Sequence, residues 1–409
     1  MPVYNINSIE SANILNTLND DSTLHKNFSC KNWTFENDTY KLIKYNKKTM
    51  SEEQFPTIGL LRSVITKNGK TLCYSPPKSL RFDTFIKKYN EKDCVAQEYI
   101  EGTMINLFYD STAKNNMGDW QISTKSAVGA DVGFSIHKNK KMCTFRNMFL
   151  DTCNYVNLDF EALSKNHCYS FVMQHPNNVI VSPVNEKKLY LISVYTIDNE
   201  TLTVKELSKK QAIELMSSVS DCRVQHPHDY EMTSYLTIKN KWASYDTTYT
   251  CQGIVIKHLE SGERTKIRNP NFEYVKKLKG NQPKLLFRYL QLRQTRTIQK
   301  YLTYFPHDKA AFDIFRNQIH AFSEELHDYY LKYHVHKIIK LNEIPSHFKP
   351  HIYAIHGIYL NELRVKKYTV QKYIVIDYVN ALPPARLMKS LNMPLQHDVP
   401  NDDICEKAY

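Results

Sequence analysis

The 409-residue sequence lacks the features that identify secreted and membrane proteins. It has no uninterrupted apolar run of about 18 residues, the length that a membrane-spanning helix needs. The N-terminal stretch MPVYNINSIESANIL has no basic segment followed by an apolar one, which is the pattern of a secretory signal. Both absences predict a protein without signal peptide or membrane span, located in the cytoplasm or elsewhere inside a cell.

The cysteines also form no recognisable pattern. There are nine of them, scattered along the chain, and no two are spaced as a CxxC pair. An odd and unpatterned set predicts reduced thiols rather than a disulfide framework, and it argues against a zinc site.

What the sequence does have is an excess of positive charge. Lys and Arg number 54 against 42 Asp and Glu, which gives a net charge of +12. If that excess is concentrated on one face, it attracts polyanions. We therefore expect RNA or another polyanion as partner, and no membrane.

The apolar pattern predicts an α+β protein whose antiparallel sheets are followed by helices. Residues 1–50 are polar and read as a small N-terminal region. Residues 51–283 hold short β-type runs, at 94–110 around Glu101 and Gly102, 179–181, 189–192, 253–256 and 265–268, with one helix near 205–219. Residues 284–392 read as a helical domain and 393–409 as a tail.

The helical domain is predicted from one long stripe of apolar residues. Its members recur at spacings of three and four, as on one face of an amphipathic helix: Phe312, Phe315, Ile319, Phe322, Leu326, Tyr329 and Tyr333. We interpret the stripe as core rather than as a platform for stacking bases.

Basic residues recur at points where they could hold phosphate. Arg62 lies in a predicted strand at 59–65, and Lys78 follows Pro76 and Pro77, which stiffen its loop. Such a rigid cationic loop suits a phosphate, although it could equally be a solvated turn. Lys266 and Arg268 flank Ile267 and thus share one sheet face, which either binds an anion or meets solvent.

The order of these motifs resembles the covalent nucleotidyltransferases, and specifically the phage-type tRNA-repair RNA ligases. Arg62 and Lys78 match an upstream basic pair, and Glu101 with Gly102 matches the acidic-Gly pair after the nucleophile. Lys125 matches a Thr-Lys strand, and Lys266 and Arg268 match a closing basic strand. The resemblance covers about residues 57–275 and would suit an origin in a large DNA virus. It implies a nucleotidyltransferase domain with these residues, Glu101, Gly102 and Gln252 around a nucleotide.

Three positions depart from the pattern. The resemblance places the nucleophilic lysine at Tyr99, a strand glutamate at Val172 and a second glutamate at Gln252. A tyrosine has no amine for a lysyl-nucleotide bond. Val and Gln supply no anionic oxygen to a hard cation. The resemblance thus implies that ATP or another nucleotide could still bind, whereas Mg²⁺ binding is weakened.

Three functions remain open from the sequence. One is an RNA ligase-like protein that binds nucleotide phosphates or RNA ends but is defective in standard self-adenylation, a pseudoenzyme. Another is an active RNA ligase or nucleotidyltransferase in RNA repair with a relocated nucleophile such as Lys78. The third is a structural or virion-associated nucleic-acid-binding protein. Tyr99 itself is either a core aromatic or, less simply, an alternative nucleophile.

Several further residues have alternative readings. His175 could be an acid or base, or a structural histidine before proline. His320, His327 and His334 share a helix face without accompanying carboxylates, so we read them as packing or surface residues and predict no metal site. At the start of the helical domain, four basic residues could line an RNA path or only meet solvent: Arg288, Arg293, Arg296 and Lys300.

Overall fold

A computed structural model describes residues 1–6, 27–133, 143–282 and 284–396. The chain divides into two compact units, Met1–Lys276 and Lys277–Tyr409. The sequence placed this boundary at 283–284, a few residues later. The sequence predicts a small N-terminal region at 1–50; the described segments 1–6 and 27–50 contribute three strands to the first unit.

The first unit contains fourteen strands among its described residues. In chain order they are β1 (Val3–Asn5), β2 (Phe28–Phe35), β3 (Asp38–Tyr45), β4 (Val64–Lys67), β5 (Lys70–Cys73), β6 (Cys94–Glu98), β7 (Thr103–Asp110), β8 (Asp119–Ser123), β9 (His167–Gln174), β10 (Lys188–Asp198), β11 (Thr203–Glu206), β12 (Asp229–Tyr230), β13 (Gly253–His258) and β14 (Arg264–Arg268).

These strands form three antiparallel sheets. The largest has the order β1-β11-β10-β9-β7-β8, the second β12-β6-β13-β14 and the third β2-β3-β4-β5. Strands β6 and β7 follow each other in sequence but belong to different sheets, so the connection 99–102 passes from one sheet to the other. That connection carries Tyr99, Glu101 and Gly102.

The helices of seven residues or more, in the described part of the chain, are α1 (Phe82–Lys88), α2 (Phe145–Tyr155), α3 (Lys209–Ser217), α4 (Tyr235–Trp242), α5 (Pro270–Lys279), α6 (Leu285–Gln294), α7 (Ile298–Tyr304), α8 (Lys309–Tyr330), α9 (Lys349–Ile358), α10 (Lys372–Ala381) and α11 (Pro384–Gln396). The α+β architecture with antiparallel sheets and a helical C-terminal region, which the sequence predicts, is confirmed.

Alternation of side chains explains the β13–β14 hairpin. Ile254, Ile256 and Ile267 point into a buried cluster on one face of the second sheet. Because strand residues alternate between faces, Lys266 and its neighbours at even positions of β14 lie on the other face. Gly253 has a φ of +127°, and a Cβ there would lie 2.1 Å from the Ile267 carbonyl oxygen, so the start of β13 requires glycine.

Three predicted elements differ from the structure. Residues 179–181 are not a strand, because the backbone amides of Val181 and Ser182 bond to the Glu101 carboxylate instead of to a neighbouring strand. Arg62 lies in an irregular segment before β4 rather than within a strand. The predicted helix near 205–219 is shorter, since 203–206 pair as β11 and α3 begins after Ser208, whose hydroxyl accepts a bond from the Gln211 amide.

The second unit is helical over its described residues. Phe312, Ile319, Phe322 and Leu326 are buried along α8, so the apolar stripe is core as predicted. Helix α11 continues through Gln396, and residues 393–396 therefore do not belong to a tail. Residues 397–409 lie outside the described chain. No described helix combines the length and apolar character that a bilayer crossing demands.

Candidate functional site

A small cavity lies beside Tyr99, where the connection after β6 crosses between the first two sheets. Its volume is ≈ 60 Å³, well below the about 300–1,000 Å³ of ordinary ligand pockets. Side chains from both sheets line it: Gln97, Glu98, Tyr99, Ile100, Met104, Val172, Ile192, Ser193, Pro227, Val255, Lys257, Arg264 and Lys266. The cavity therefore brings Tyr99, Val172 and Lys266 together.

Lys266 lies directly against Tyr99. Its Nζ is 4.5 Å from the centre of the Tyr99 ring and 3.5 Å from the phenol oxygen. Burial holds the pKa of Lys266 well below its usual range, and the positive charges of Arg264, Arg62, Arg268 and Lys78 lower it further. Arg264 and Arg268 lie on the same strand as Lys266, whereas Arg62 and Lys78 are far from it in sequence and act on it because the fold brings them near.

Two arginines are fixed by the proline loop. Arg62 Nη1 donates to the Pro76 carbonyl oxygen at 3.2 Å, and Arg264 Nη2 donates to the Pro77 carbonyl oxygen at 3.0 Å. Burial lowers the pKa of Arg62, and the charge of Arg264 lowers it further. Consecutive prolines restrict the loop backbone, so the loop holds both guanidinium groups in place.

Lys78 is at the edge of this group. Its Nζ donates to the Ser79 carbonyl oxygen at 3.1 Å and lies 4.3 Å from the centre of the Phe55 ring. Burial lowers the pKa of Lys78, as do the charges of Lys47, Arg268 and Arg62, whereas Glu52 opposes them. We call Arg62, Lys78, Arg264 and Lys266 the cationic cluster.

Among the carboxylates near the cationic cluster, Glu98 lines the same cavity and accepts the His228 amide at 3.4 Å, and three others pair elsewhere. Glu52 pairs with Arg81, Glu206 with Lys257 at 2.7 Å and Glu273 with Arg268 at 3.5 Å. In the part of the chain that the structure describes, no member of the cluster forms an ion pair. Desolvated like charges without counterions are unfavourable, so the cluster is suited to receive an anion.

Of the predicted site residues, Tyr99 and Lys266 line the small cavity and the others do not. Arg268 is half-exposed beside Glu273, and its charge reaches Lys266. Lys125 is exposed, with its Nζ 5.0 Å from the centre of the Tyr45 ring. Desolvation lowers the pKa of Lys125 to about 8, together with the charges of Arg62, Lys44, Lys47 and Lys78.

Glu101 and Gly102 shape the backbone instead of facing the cavity. The Glu101 carboxylate is buried and accepts the amides of Val181 at 2.5 Å and Ser182 at 3.0 Å. Gly102 has a φ of +152°, and a Cβ there would lie 2.5 Å from the Met173 carbonyl oxygen. Their place around a nucleotide, which the resemblance implies, stays a prediction.

Gln252 and Val172 do not form a site for a hard cation. Val172 is buried on β9 opposite Met104 and Tyr190, and the Gln252 Oε1 is buried without a hydrogen-bond partner among the described residues. No group of three His, Cys, Asp or Glu side chains in the described ranges could hold a metal ion. The donors here therefore do not fit Mg²⁺, which prefers several carboxylate and water oxygens.

The remaining candidates have structural contacts. His175 is buried, with Nε2 2.9 Å from the Asp151 carboxylate and Nδ1 accepting the Asn177 amide, which favours the structural reading. Arg288 donates to main-chain carbonyls of Lys277 and Leu278, and Arg293 donates to Asn380. Both arginines are thus used in packing and are poor candidates for an RNA path.

Sequence reasoning missed Arg264 and the pair of Lys257 with Glu206. Arg264 is two residues before Lys266, so strand alternation places it on the same face and could have identified it. Glu206 is buried and also accepts the hydroxyls of Tyr4 and Ser193. Its bond to Lys257, which lines the cavity, connects β11 of the first sheet with β13 of the second. No local sequence pattern reveals this long-range contact.

Comparisons with known proteins are limited to parts of the chain. No protein-family model matches it. An RNA ligase of Rhodothermus phage RM378 is 31% identical over 110 residues, which is 25% of this chain and 23% of that protein. The chain thus matches about a quarter of this relative's length.

Solved structures give only distant matches. An RNA ligase of Naegleria gruberi, in a mutant without ligand, has a TM-score of 0.35 and 13% identity, covering 50% of this chain and 57% of its own. A protein described as an ATP-dependent DNA ligase from Aquifex aeolicus has a TM-score of 0.38 and 10% identity, covering 82% and 78%. These TM-scores do not establish a common fold. The phage relative confirms the predicted resemblance of this chain to RNA ligases.

Proposed function

We propose that the cationic cluster binds the phosphate of an RNA end or of a nucleotide, and that the chain does not self-adenylate in the standard way. The observation that carries this proposal is a desolvated group of two lysines and two arginines without a carboxylate partner in the described chain. A phosphate supplies the missing negative charge and accepts bonds from guanidinium and ammonium donors.

The size of the cavity favours phosphate over base as the recognised group. At ≈ 60 Å³ it leaves little room between Tyr99 and Val172 for a purine ring. Arg62 and Lys266 are partly exposed, so phosphate oxygens can reach them without a purine ring entering this space. We therefore expect affinity to depend on the terminal phosphates more than on the identity of the base.

The missing groups argue against standard self-adenylation. Formation of a lysyl-nucleotide bond requires an amine at the position of Tyr99, where the chain has a phenol. RNA ligase mutants of Naegleria gruberi have been solved with ATP and Mn. In this chain, the positions at which the resemblance expects carboxylates for such a metal are Val172 and Gln252.

A second candidate function is covalent nucleotidyl transfer to a relocated lysine. Lys78 donates to Ser79 and packs on Phe55, away from Tyr99. The amine beside the phenol is that of Lys266, whose lowered pKa leaves more of it unprotonated. Labelled ATP or GTP with a divalent metal should leave no acid-labile label on the chain. A label that disappears in Lys266→Ala or Lys78→Ala would establish this candidate instead.

Phosphate binding can be tested with an RNA dinucleotide that carries a 5′-phosphate. We expect the wild-type protein to bind it at least 10-fold more tightly than the same dinucleotide without the phosphate, since one charged hydrogen bond contributes about 1.5–3 kcal/mol. Lys266→Met should remove most of this preference. Lys210→Met, on the exposed face of α3, serves as the matched control and should retain it.

Equal affinity for both dinucleotides would contradict the proposal, as would full affinity in Lys266→Met. Binding of neither dinucleotide, with no covalent label, would leave the third function, a structural or virion-associated protein that binds nucleic acid elsewhere on its basic surface.

A further inference from the structure

The β2–β3 hairpin extends the basic surface away from the cationic cluster. The Lys44 Nζ donates to the Ser126 hydroxyl at 3.1 Å, which places the end of β3 beside the turn that carries Lys125. The next residue, Tyr45, has its ring under the Lys125 Nζ and donates its amide to the Leu61 carbonyl oxygen at 2.6 Å. Leu61 directly precedes Arg62, so these contacts place the end of β3 next to the cationic cluster.

Strand register adds a further lysine at the outer end. Ser29 pairs with Lys44, and Lys31 pairs with Leu42, so Lys31 and Lys44 lie on the same face of adjacent strands. Lys47 follows β3 directly and is exposed. We call Lys31, Lys44, Lys47 and Lys125 the lysine track.

Electrostatic interactions link the lysine track to the cluster. Lys31 lowers the pKa of Lys44, after the larger effect of desolvation. The charges of Lys44 and Lys47 likewise lower the pKa of Lys125, as do those of Arg62 and Lys78. Positive charge therefore continues from the hairpin to the cluster.

The acidic residues of the hairpin lie at its opposite end. Glu36 and Asp38 flank the turn between β2 and β3, where Asp38 pairs with Lys67 at 2.7 Å and Glu36 approaches Arg146 at 4.0 Å. The lysines of the track form no ion pair with a carboxylate in the residues described. An extended polyanion, with charges repeated along its length, matches such a row better than a compact anion does.

We propose that the lysine track binds the backbone of single-stranded RNA that continues from a terminal phosphate held by the cationic cluster. This inference rests on the proposed function, because it takes the terminal phosphate as its starting point. It adds a direction: the strand leaves the cluster past Lys125 and runs over the β2–β3 hairpin.

The test compares two RNAs of different length in one triple variant. The probes are the dinucleotide with a 5′-phosphate and a 12-nucleotide single strand with a 5′-phosphate. In Lys31→Ala/Lys44→Ala/Lys47→Ala, affinity for the 12-mer should fall at least 10-fold while affinity for the dinucleotide is unchanged. The slope of log affinity against log salt should become shallower by about 2, since each phosphate contact on a single strand contributes about 0.7.

A matched triple variant controls for loss of net charge. Lys87→Ala/Lys210→Ala/Lys239→Ala removes three exposed lysines from α1, α3 and α4, and it should leave the 12-mer affinity within twofold of wild type. Thermal melting of both variants verifies that each is folded.

Unchanged 12-mer affinity in the track variant would overturn the inference and leave the proposed function intact. An equal loss for the dinucleotide would also overturn it, because the lysines would then act only through the cluster. A polyglutamate peptide that binds wild type as tightly as the 12-mer would assign the track to acidic proteins instead. If the wild-type protein does not bind the dinucleotide but the track variant still loses 12-mer affinity, the proposed function is contradicted. Binding of RNA by the lysine track is then still supported.

Discussion

The assignment of Glu101 as a structural residue can be tested by its removal. Its carboxylate is buried and satisfies the backbone amides of Val181 and Ser182, so Glu101→Ala leaves both donors without their partner. A buried donor left unsatisfied costs about 1–3 kcal/mol, so the pair should cost about 2–6 kcal/mol of unfolding free energy. Glu101→Gln keeps one oxygen acceptor and should cost about half as much, because a neutral acceptor forms weaker bonds.

Tryptophan fluorescence during urea unfolding measures this loss in the first unit alone. All three tryptophans of the chain, Trp33, Trp120 and Trp242, lie within Met1–Lys276. The transition midpoint should fall in the order wild type, Glu101→Gln, Glu101→Ala, with similar slopes. The folded Glu101→Gln protein should bind the dinucleotide with a 5′-phosphate as wild type does.

Two results would refute this reasoning. One is a change of less than about 0.5 kcal/mol in Glu101→Ala, which is the range of ordinary surface substitutions. The other is a Glu101→Gln protein that keeps wild-type stability and loses phosphate binding, which would make Glu101 part of the ligand site.

Three further predictions concern other parts of the molecule. Burial and nearby positive groups lower the pKa of His351 to about 4. The second unit should therefore lose about 3 kcal/mol of unfolding free energy as the pH falls from 6.5 to about 4, at 1.36 kcal/mol per pH unit. Circular dichroism melts that do not vary over this range would contradict the prediction. Glu206→Gln should destabilise the first unit by about 3 kcal/mol because it leaves Lys257 without its buried partner, and an unchanged urea midpoint would refute this. Tyr99→Lys alone should not restore labelling by ATP, since the carboxylates for a metal are still missing; a stable lysyl-nucleotide in this variant would show that the amine was the only missing group.

Local patterns predicted the elements whose own residues decide their structure. The β13–β14 hairpin follows from strict alternation around Ile267, and α8 follows from an apolar stripe of which Phe312, Ile319, Phe322 and Leu326 are buried. In each case the period of the sequence matches the period of the element.

Long-range contacts account for what the sequence did not predict. Residues 179–181 have strand-forming side chains, but the Val181 amide is bonded to the Glu101 carboxylate, 80 positions away. Strands β2 and β3 lie in a segment that looked merely polar. Lys31, Asn32 and Thr34 of β2 face solvent, whereas Tyr40, Leu42 and Ile43 of β3 are buried. Strand alternation could have placed Arg264 on the face of Lys266, but its bond to the Pro77 carbonyl oxygen forms only in the folded chain.

The most direct test of the cationic cluster is the titration of the Lys266 ammonium itself. Reductive ¹³C-methylation with NMR detection, assigned by comparison with Lys266→Met, follows its pKa in the free protein and with tripolyphosphate. We predict a pKa well below the usual range for lysine in the free protein, and a rise when the anion binds, because negative charge favours the protonated amine. An ordinary lysine pKa that tripolyphosphate does not change would contradict the existence of a desolvated, anion-binding cluster.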